Sequence, residues 1–186
     1  MLIQGSVHWF KRRKGGFVMA SEPQEEARKL KLLIVDDEVD FLNSVAKRLE
    51  LRSFDVTAVT NGEDALKAAK KGQFDLTLLD LKMPGMDGTE VLGLLKKKHK
   101  FLEVIILTGH GSLDSAVECT KLGAFDYLTK PYELVDLLNV LKRAYEARLR
   151  NKFQHDRRRM EDLEMLAAGS PLAVLRALVS LDDDEK

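Results

Sequence analysis

Five short apolar runs limit how this chain can fold. They are Lys31–Val35, Phe54–Val59, Phe74–Leu79, Glu103–Leu107 and Ala124–Leu128, and each is bounded by turn-forming or charged residues. Runs of this length with β-branched residues and sharp boundaries read as strands. Between them the apolar residues recur at helical spacing. After the first run they fall at Val39, Leu42, Val45, Ala46 and Leu49. After the second they fall at Ala65, Leu66 and Ala69, and after the third at Val91, Leu92, Leu94 and Leu95. Gly72 and Gly123 are placed to end two of these helices, and Ser112 or Asp114 to cap a fourth that runs to Lys121. A fifth, longer helical pattern begins near Tyr132 or Glu133. Strand and helix alternating five times over about 120 residues predict an α/β fold, a doubly wound parallel sheet with helices on both faces.

In such a sheet every strand's carboxyl end lies on one edge, where ligands bind. The residues at those ends are Asp36 and Asp37, Asp80, Thr108 and Lys130. Each has an ordinary explanation alone: an Asp pair caps a helix, a Thr ends a strand, a Lys before Pro is a solvated turn. Their occurrence at successive strand ends is harder to explain that way. Carboxylates gathered at one edge repel and raise one another's pKa. A divalent cation resolves the conflict, and Mg2+ takes oxygen ligands from one or two carboxylates plus water and phosphate oxygens. Asp37 and Asp80 are the expected direct ligands, with Asp36 bound directly or through water. Asp80 then keeps an oxygen as a nucleophile toward phosphorus. Lys130 can balance phosphoryl charge, the Thr108 hydroxyl can donate to a phosphoryl oxygen, and the Gly109 backbone can approach closely.

Composition narrows the function classes. With 186 residues, 45% hydrophobic, the chain can bury one domain and carry extra segments. Lysine plus arginine equals aspartate plus glutamate at 30 each, so no global charge draws it to nucleic acid or an anionic membrane. No run reaches the ~18 apolar residues of a membrane span, and the expected compartment is the cytoplasm. The single cysteine, Cys119, has no partner for an internal disulfide and is expected to pack as a small apolar residue.

The stretches Val35-Asp36-Asp37-Glu38, Leu79-Asp80-Leu81-Lys82-Met83-Pro84-Gly85-Met86-Asp87-Gly88, Leu107-Thr108-Gly109-His110-Gly111 and Tyr127-Leu128-Thr129-Lys130-Pro131 resemble the receiver domain of two-component response regulators. The resemblance covers roughly residues 30–148 and leaves no motif residue missing. It implies the flavodoxin-like strand order 2-1-3-4-5. It also implies phosphorylation of Asp80 by a sensor histidine kinase, with Mg2+ required. The receiver itself, rather than a separate enzyme, would catalyse the transfer and the later dephosphorylation. Asp36 and Asp37 would form the acidic pocket, the Lys82 carbonyl would be a backbone metal ligand, and Thr108 with Tyr127 would be the switch pair. That switch would reshape the face made by the fourth helix, fifth strand and fifth helix. Lys82 and His110 would lie beside the phosphoryl group at positions that tune its lifetime, the alternative for His110 being a solvated loop residue.

Domain organisation follows. Residues 1–29 read as a disordered basic tail, with Met19 as the natural start; the alternative is a nucleic-acid-binding arm using Trp9 and Phe10. Residues 30–148 form the receiver. Residues 149–186 are a helical extension, a short helix after Gly169-Ser170-Pro171, and an acidic tail. Tyr145, Leu149, Phe153, Met160, Leu163 and Ala167 form a roughly heptad stripe interrupted by Asp156. The extended helix is expected to pair in a homodimer or to pack alone or on its own receiver. With no helix-turn-helix pattern, a receiver-only regulator signalling to a protein partner, or through a dimer on the fourth helix–fifth strand–fifth helix face, is the leading reading. The alternatives are a transcription regulator contacting DNA through its basic ends, and an aspartyl phosphohydrolase. The latter would want a carboxylate where Lys82 stands.

Overall fold

The computed structural model describes residues 29–109 and 111–169, the side chains of 162–169 excepted. The readings made for the N-terminal tail, for His110, for the Leu163 and Ala167 side chains, and for everything after Gly169 lie outside the described residues. The elements run β1 (Leu30–Val35), α1 (Val39–Glu50), β2 (Phe54–Val59), α2 (Gly62–Lys71), β3 (Leu76–Leu79), α3 (Gly88–Lys98), β4 (Glu103–Thr108), α4 (Leu113–Lys121), β5 (Asp126–Thr129) and α5 (Leu134–Gly169). The strands pair in parallel in the order β2-β1-β3-β4-β5. This is the parallel α/β sheet that the alternation of runs predicts, in the flavodoxin-like order that the family resemblance implies.

Two apolar layers hold the sheet. Alternate residues of a strand point to opposite faces. Leu32 and Ile34 of β1 join Leu42, Val45 and Leu49 of α1 and Leu137, Leu141 and Ala144 of α5 on one face. Leu33 and Val35 join Ala65 and Ala69 of α2, Val91, Leu92 and Leu95 of α3, and Cys119 of α4 on the other. Strands β3 and β4 are buried throughout, as strands covered on both faces must be. Cys119 is fully buried, and that burial pushes its thiol pKa up.

Several boundaries move. β3 begins at Leu76: Asp75 N–H still donates to Lys31 O at 2.8 Å, while its carboxylate, not a strand carbonyl, accepts the Lys31 N–H at 2.9 Å and Arg148 Nε at 3.0 Å. β5 begins at Asp126 because Ala124 still closes the end of α4, donating to Cys119 O at 2.9 Å. Gly123 takes φ +92 in that closure, while Gly72 ends α2 in extended backbone. Ser112 is the cap of α4, in a reciprocal capping box with Ser115. Val39, read as inward-facing, is exposed, and Phe41 packs on the core instead.

The fifth helix continues unbroken through residue 148 to Gly169. Arg148 clamps Asp75 and donates to Phe101 O, Asn151 reaches Glu103 at 3.1 Å, and the His155 ring meets Phe101 edge-on. The first residues past the expected boundary therefore pack on their own receiver. Leu149, Phe153 and Met160 remain exposed. None of the helices in the described residues is long and apolar enough to cross a membrane.

Two glycines of α3 give opposite expectations. A Cβ at Gly88 would lie 2.3 Å from Asp80 O and 2.6 Å from the Leu81 Cα, so Gly88 is what lets α3 start against the end of β3. A Cβ at Gly93, inside the same helix, would meet nothing within 4 Å. Gly88→Ala is expected to lower unfolding free energy by about 1–3 kcal/mol or more. Gly93→Ala is expected to raise it by roughly 0.5–1 kcal/mol. Urea denaturation of the two variants checks both signs.

Candidate functional site

The residues that matter lie one step past the strands, and a last ladder bond fixes each. Asp36 donates its N–H to Val59 O at 3.1 Å, Asp80 to Val35 O at 2.9 Å, and Lys130 to Thr108 O at 2.8 Å. Pairing thus runs on just beyond β1, β3 and β5. It sets Asp36 and Asp80 side by side at the carboxyl edge, with Lys130 beside the end of β4. Asp80 is turned by its own loop: Leu81 N–H donates to Asp80 Oδ1 at 2.8 Å, and Gly88 N–H donates to Leu81 O at 3.0 Å.

Asp36, Asp37 and Asp80 converge, with one carboxylate oxygen of each within 4.8 Å of the others. At an effective dielectric of about 20, a pair of like charges that far apart repels by roughly 3 kcal/mol. Lys130 partly offsets this. Its Nζ lies 2.6 Å from Asp36 Oδ2 and 3.2 Å from Glu38 Oε1, and the second Asp36 oxygen accepts the Glu38 N–H at 3.0 Å. Desolvation still dominates at Asp36, which is almost wholly buried. Together with the Asp80 charge it outweighs the lowering effect of Lys130, so the Asp36 pKa is raised. Burial pulls Lys130 down, but its bond to Asp36 and the surrounding carboxylates outweigh that and raise it.

One ammonium cannot neutralise three carboxylates, and the surplus is negative. The donor set is all oxygen, clustered and part-buried, which suits a hard divalent cation such as Mg2+. The residues present therefore fit the metal that the sequence reading calls for.

Thr108 ends β4 and is fully buried, Gly109 is exposed beyond it, and Lys82 is exposed in the loop after β3. Tyr127 lies in β5, in register with Ile106, and its hydroxyl is 3.0 Å from Ser115 Oγ of α4. Three neighbours were not foreseen as site residues. Glu38 pairs with Lys130, Ser115 holds Tyr127, and the Phe41 ring centroid lies 3.9 Å from Lys130 Nζ. Glu38 stood inside the acidic run, so its charge was visible. Ser115 and Phe41 carried no local signal, because each acts across the fold on a residue in or just after β5.

Proteins of similar sequence and fold point to one family. The family model described as the response regulator receiver domain matches residues 32–142. FleR, a response regulator protein of Pseudomonas aeruginosa, is 37% identical over 113 residues, covering 61% of this chain and 24% of FleR. A putative NtrX-like response regulator of Rickettsia bellii is 38% identical over 117 residues, covering 62% of this chain and 24% of that protein. The chain thus spans about a quarter of the length of these curated relatives. Among solved structures, a CheY-like receiver domain protein of Methanospirillum hungatei has TM-score 0.64 at 31% identity, covering 66% of this chain and 98% of that one. NtrX of Brucella abortus, solved in complex with ATP, has TM-score 0.66 at 30% identity, covering 74% of this chain and 34% of that one.

Tyr132 provides a test of how tightly this corner is packed. Its ring meets Phe41 edge-on, with centroids 6.2 Å apart, and burial pushes its pKa up to about 12. A phenol held neutral in the fold contributes stability that is fully present below the unfolded value of about 10 and is lost as pH rises from there through 12. Titration by phenolate absorbance is expected to show a late step near 12 that Tyr132→Phe lacks. If the variant loses an ordinary step near 10 instead, the packing described is wrong.

Proposed function

The chain belongs to the response regulator receiver domain family, and from that premise we propose that Asp80 is its phosphoacceptor, charged by a sensor histidine kinase. Receivers of this family are phosphoacceptors rather than conventional enzymes. The observation that carries the reading is the convergence of Asp36, Asp37 and Asp80 at one sheet edge with Lys130 held against Asp36.

In the proposed transfer an Asp80 carboxylate oxygen attacks the phosphorus of the kinase's phosphohistidine in line. The P–N bond breaks, its electron pair returns to the imidazole, which takes up a proton, and a mixed anhydride forms on Asp80. Asp36, Asp37, Asp80 and the Lys82 carbonyl would hold Mg2+, which when bound neutralises charge on the phosphoryl oxygens. Lys130 supplies a further positive charge to those oxygens, and Thr108 and the Gly109 backbone donate to them. Return of the phosphoryl group to water on the same residues would make the receiver its own phosphatase.

The switch proposed for this chain is Thr108 moving toward the phosphate while Tyr127 turns inward, which would release the Ser115 contact that ties it to α4. That couples a charge event at Asp80 to the α4–β5–α5 face, where Leu113, Val117, Leu122 and Val135 are exposed. A downstream protein or a second copy of the chain would read that face. The exposed Leu149, Phe153 and Met160 line supports the extended helix as a second route to a homodimer.

Incubation with acetyl phosphate and Mg2+ is expected to place one acid-stable, alkali-labile phosphoryl group on each chain, and Asp80→Asn to abolish it. Uptake at the same site in Asp80→Asn would sink the proposal. Mg2+ alone, at 100 times its Kd, is expected to stabilise the protein by about 2.7 kcal/mol, an effect that Asp37→Asn weakens. Lys130→Met is expected to keep that stabilisation while slowing phosphorylation by about 100-fold or more.

A further inference from the structure

We infer that Phe41 is a positioning residue for Lys130, holding its ammonium in place through the face of the ring; this deepens, and rests on, the phosphoacceptor reading. Three contacts fix that ammonium: Asp36 at 2.6 Å, Glu38 at 3.2 Å, and the Phe41 ring centroid at 3.9 Å. They are not equivalent once the site works. Asp36 belongs to the carboxylate cluster that suits a divalent cation, so a cation bound there takes up the charge that now attracts Lys130. Glu38 is 65% exposed, and its pull is screened by water and salt.

The ring has neither weakness. It carries no charge to be neutralised and offers no oxygen for a hard cation to bind. Its negative face attracts an ammonium within about 6 Å, more strongly when water is excluded. Phe41 is itself fixed: it packs against the α1–α5 core cluster, and Tyr132 meets it edge-on at 84°. Of the three contacts, the ring alone is neither neutralised by a cation at Asp36 nor screened by solvent as Glu38 is. It keeps Lys130 aimed along the sheet edge toward Asp80 when the Asp36 bond weakens.

Two measurements on the full chain test this. The first is the second-order rate constant for acetyl phosphate at saturating Mg2+. Phe41→Leu, which keeps apolar volume, is expected to lower it by about 2- to 30-fold, the range of cation–π strengths expressed as a rate. Phe41→Tyr and Phe41→Trp are expected to remain within about twofold of wild type, while the Mg2+ affinity of all three is unchanged. The second is NMR of the Lys130 ε-methylene protons. In the wild type these are expected upfield, shifted by the ring, both without and with Mg2+, and to lose that shift in Phe41→Leu.

A Phe41→Leu variant as fast as wild type overturns the inference, as does Phe41→Trp as slow as Phe41→Leu. Loss of the upfield shift when Mg2+ is added to the wild type also overturns it. A wild type that takes up no phosphate overturns the phosphoacceptor reading and this inference together. A wild type that does, with Phe41→Leu unaffected, overturns this inference alone.

Discussion

Three carboxylates held within 4.8 Å of one another are the constraint the rest of this structure answers to. Left to themselves they would spread into water. The parallel sheet prevents that, because Asp36 and Asp80 are each fixed by a backbone bond that extends the strand ladder one residue further. The repulsion is therefore built into the fold rather than relaxed by it. Lys130 offsets part of it from the neighbouring end of β5, yet burial first, with the Asp80 charge adding to it, still raises the Asp36 pKa. A site that disfavours its own negative charge is poised to take up positive charge, and this is the physical link between the packing of the core and the chemistry at the edge.

The amino-terminal edge of the sheet is built differently. There the buried carboxylates are fully partnered. Asp75 is bound by the Lys31 N–H and by Arg148, and Glu103 by Lys96 at 3.1 Å and by Asn151. Buried charges tolerate such places only when paired and hydrogen-bonded. The contrast between the two edges is informative. At the amino edge each buried acid has its own cation, as structural ion pairs do. At the carboxyl edge one ammonium, Lys130, meets Asp36 and Glu38 with Asp37 and Asp80 alongside, an imbalance of the kind functional sites show.

The sequence made the carboxyl edge legible because the strand ends are local features: an apolar run stops, and a chemically distinctive residue follows. Asp36, Asp37, Asp80, Thr108 and Lys130 could each be located that way, and the alternation of elements brought them to one edge. What was not legible depends on contacts between distant residues. Nothing near Asp75 in the chain announces that Arg148 will bind it, so Phe74 and Asp75 were read into β3. The phase of α1 at its first turn could not be fixed by spacing alone. Val39 and Phe41 are both apolar, and only the packing against Tyr132 and Lys130 selects Phe41 as the inward residue. The bond between Ser115 and Tyr127 joins a helix cap to a strand, and neither residue's surroundings in sequence hint at the other.

These distant contacts also determine how far a change at Asp80 can travel. Lys130 and Tyr127 lie three residues apart, one just past β5 and the other within it, so a strand's worth of backbone couples the charge at the site to the ring that touches α4. Ser115 both completes the Ser112 capping box of α4 and meets the Tyr127 hydroxyl, so the proposed movement of that ring would disturb the helix at its start, where its N–H groups depend most on the cap. The fifth helix responds differently. Arg148 and Asn151 pin it near the starts of β3 and β4 at the far edge of the sheet, whereas the start of α4 is held to β5 through the Ser115–Tyr127 bond, the contact that the proposed switch would release. Of the two helices next to β5, α4 is therefore the one that the proposed turn of Tyr127 would move. The long α5, held at the opposite edge, would then serve as the frame against which the proposed movement is read.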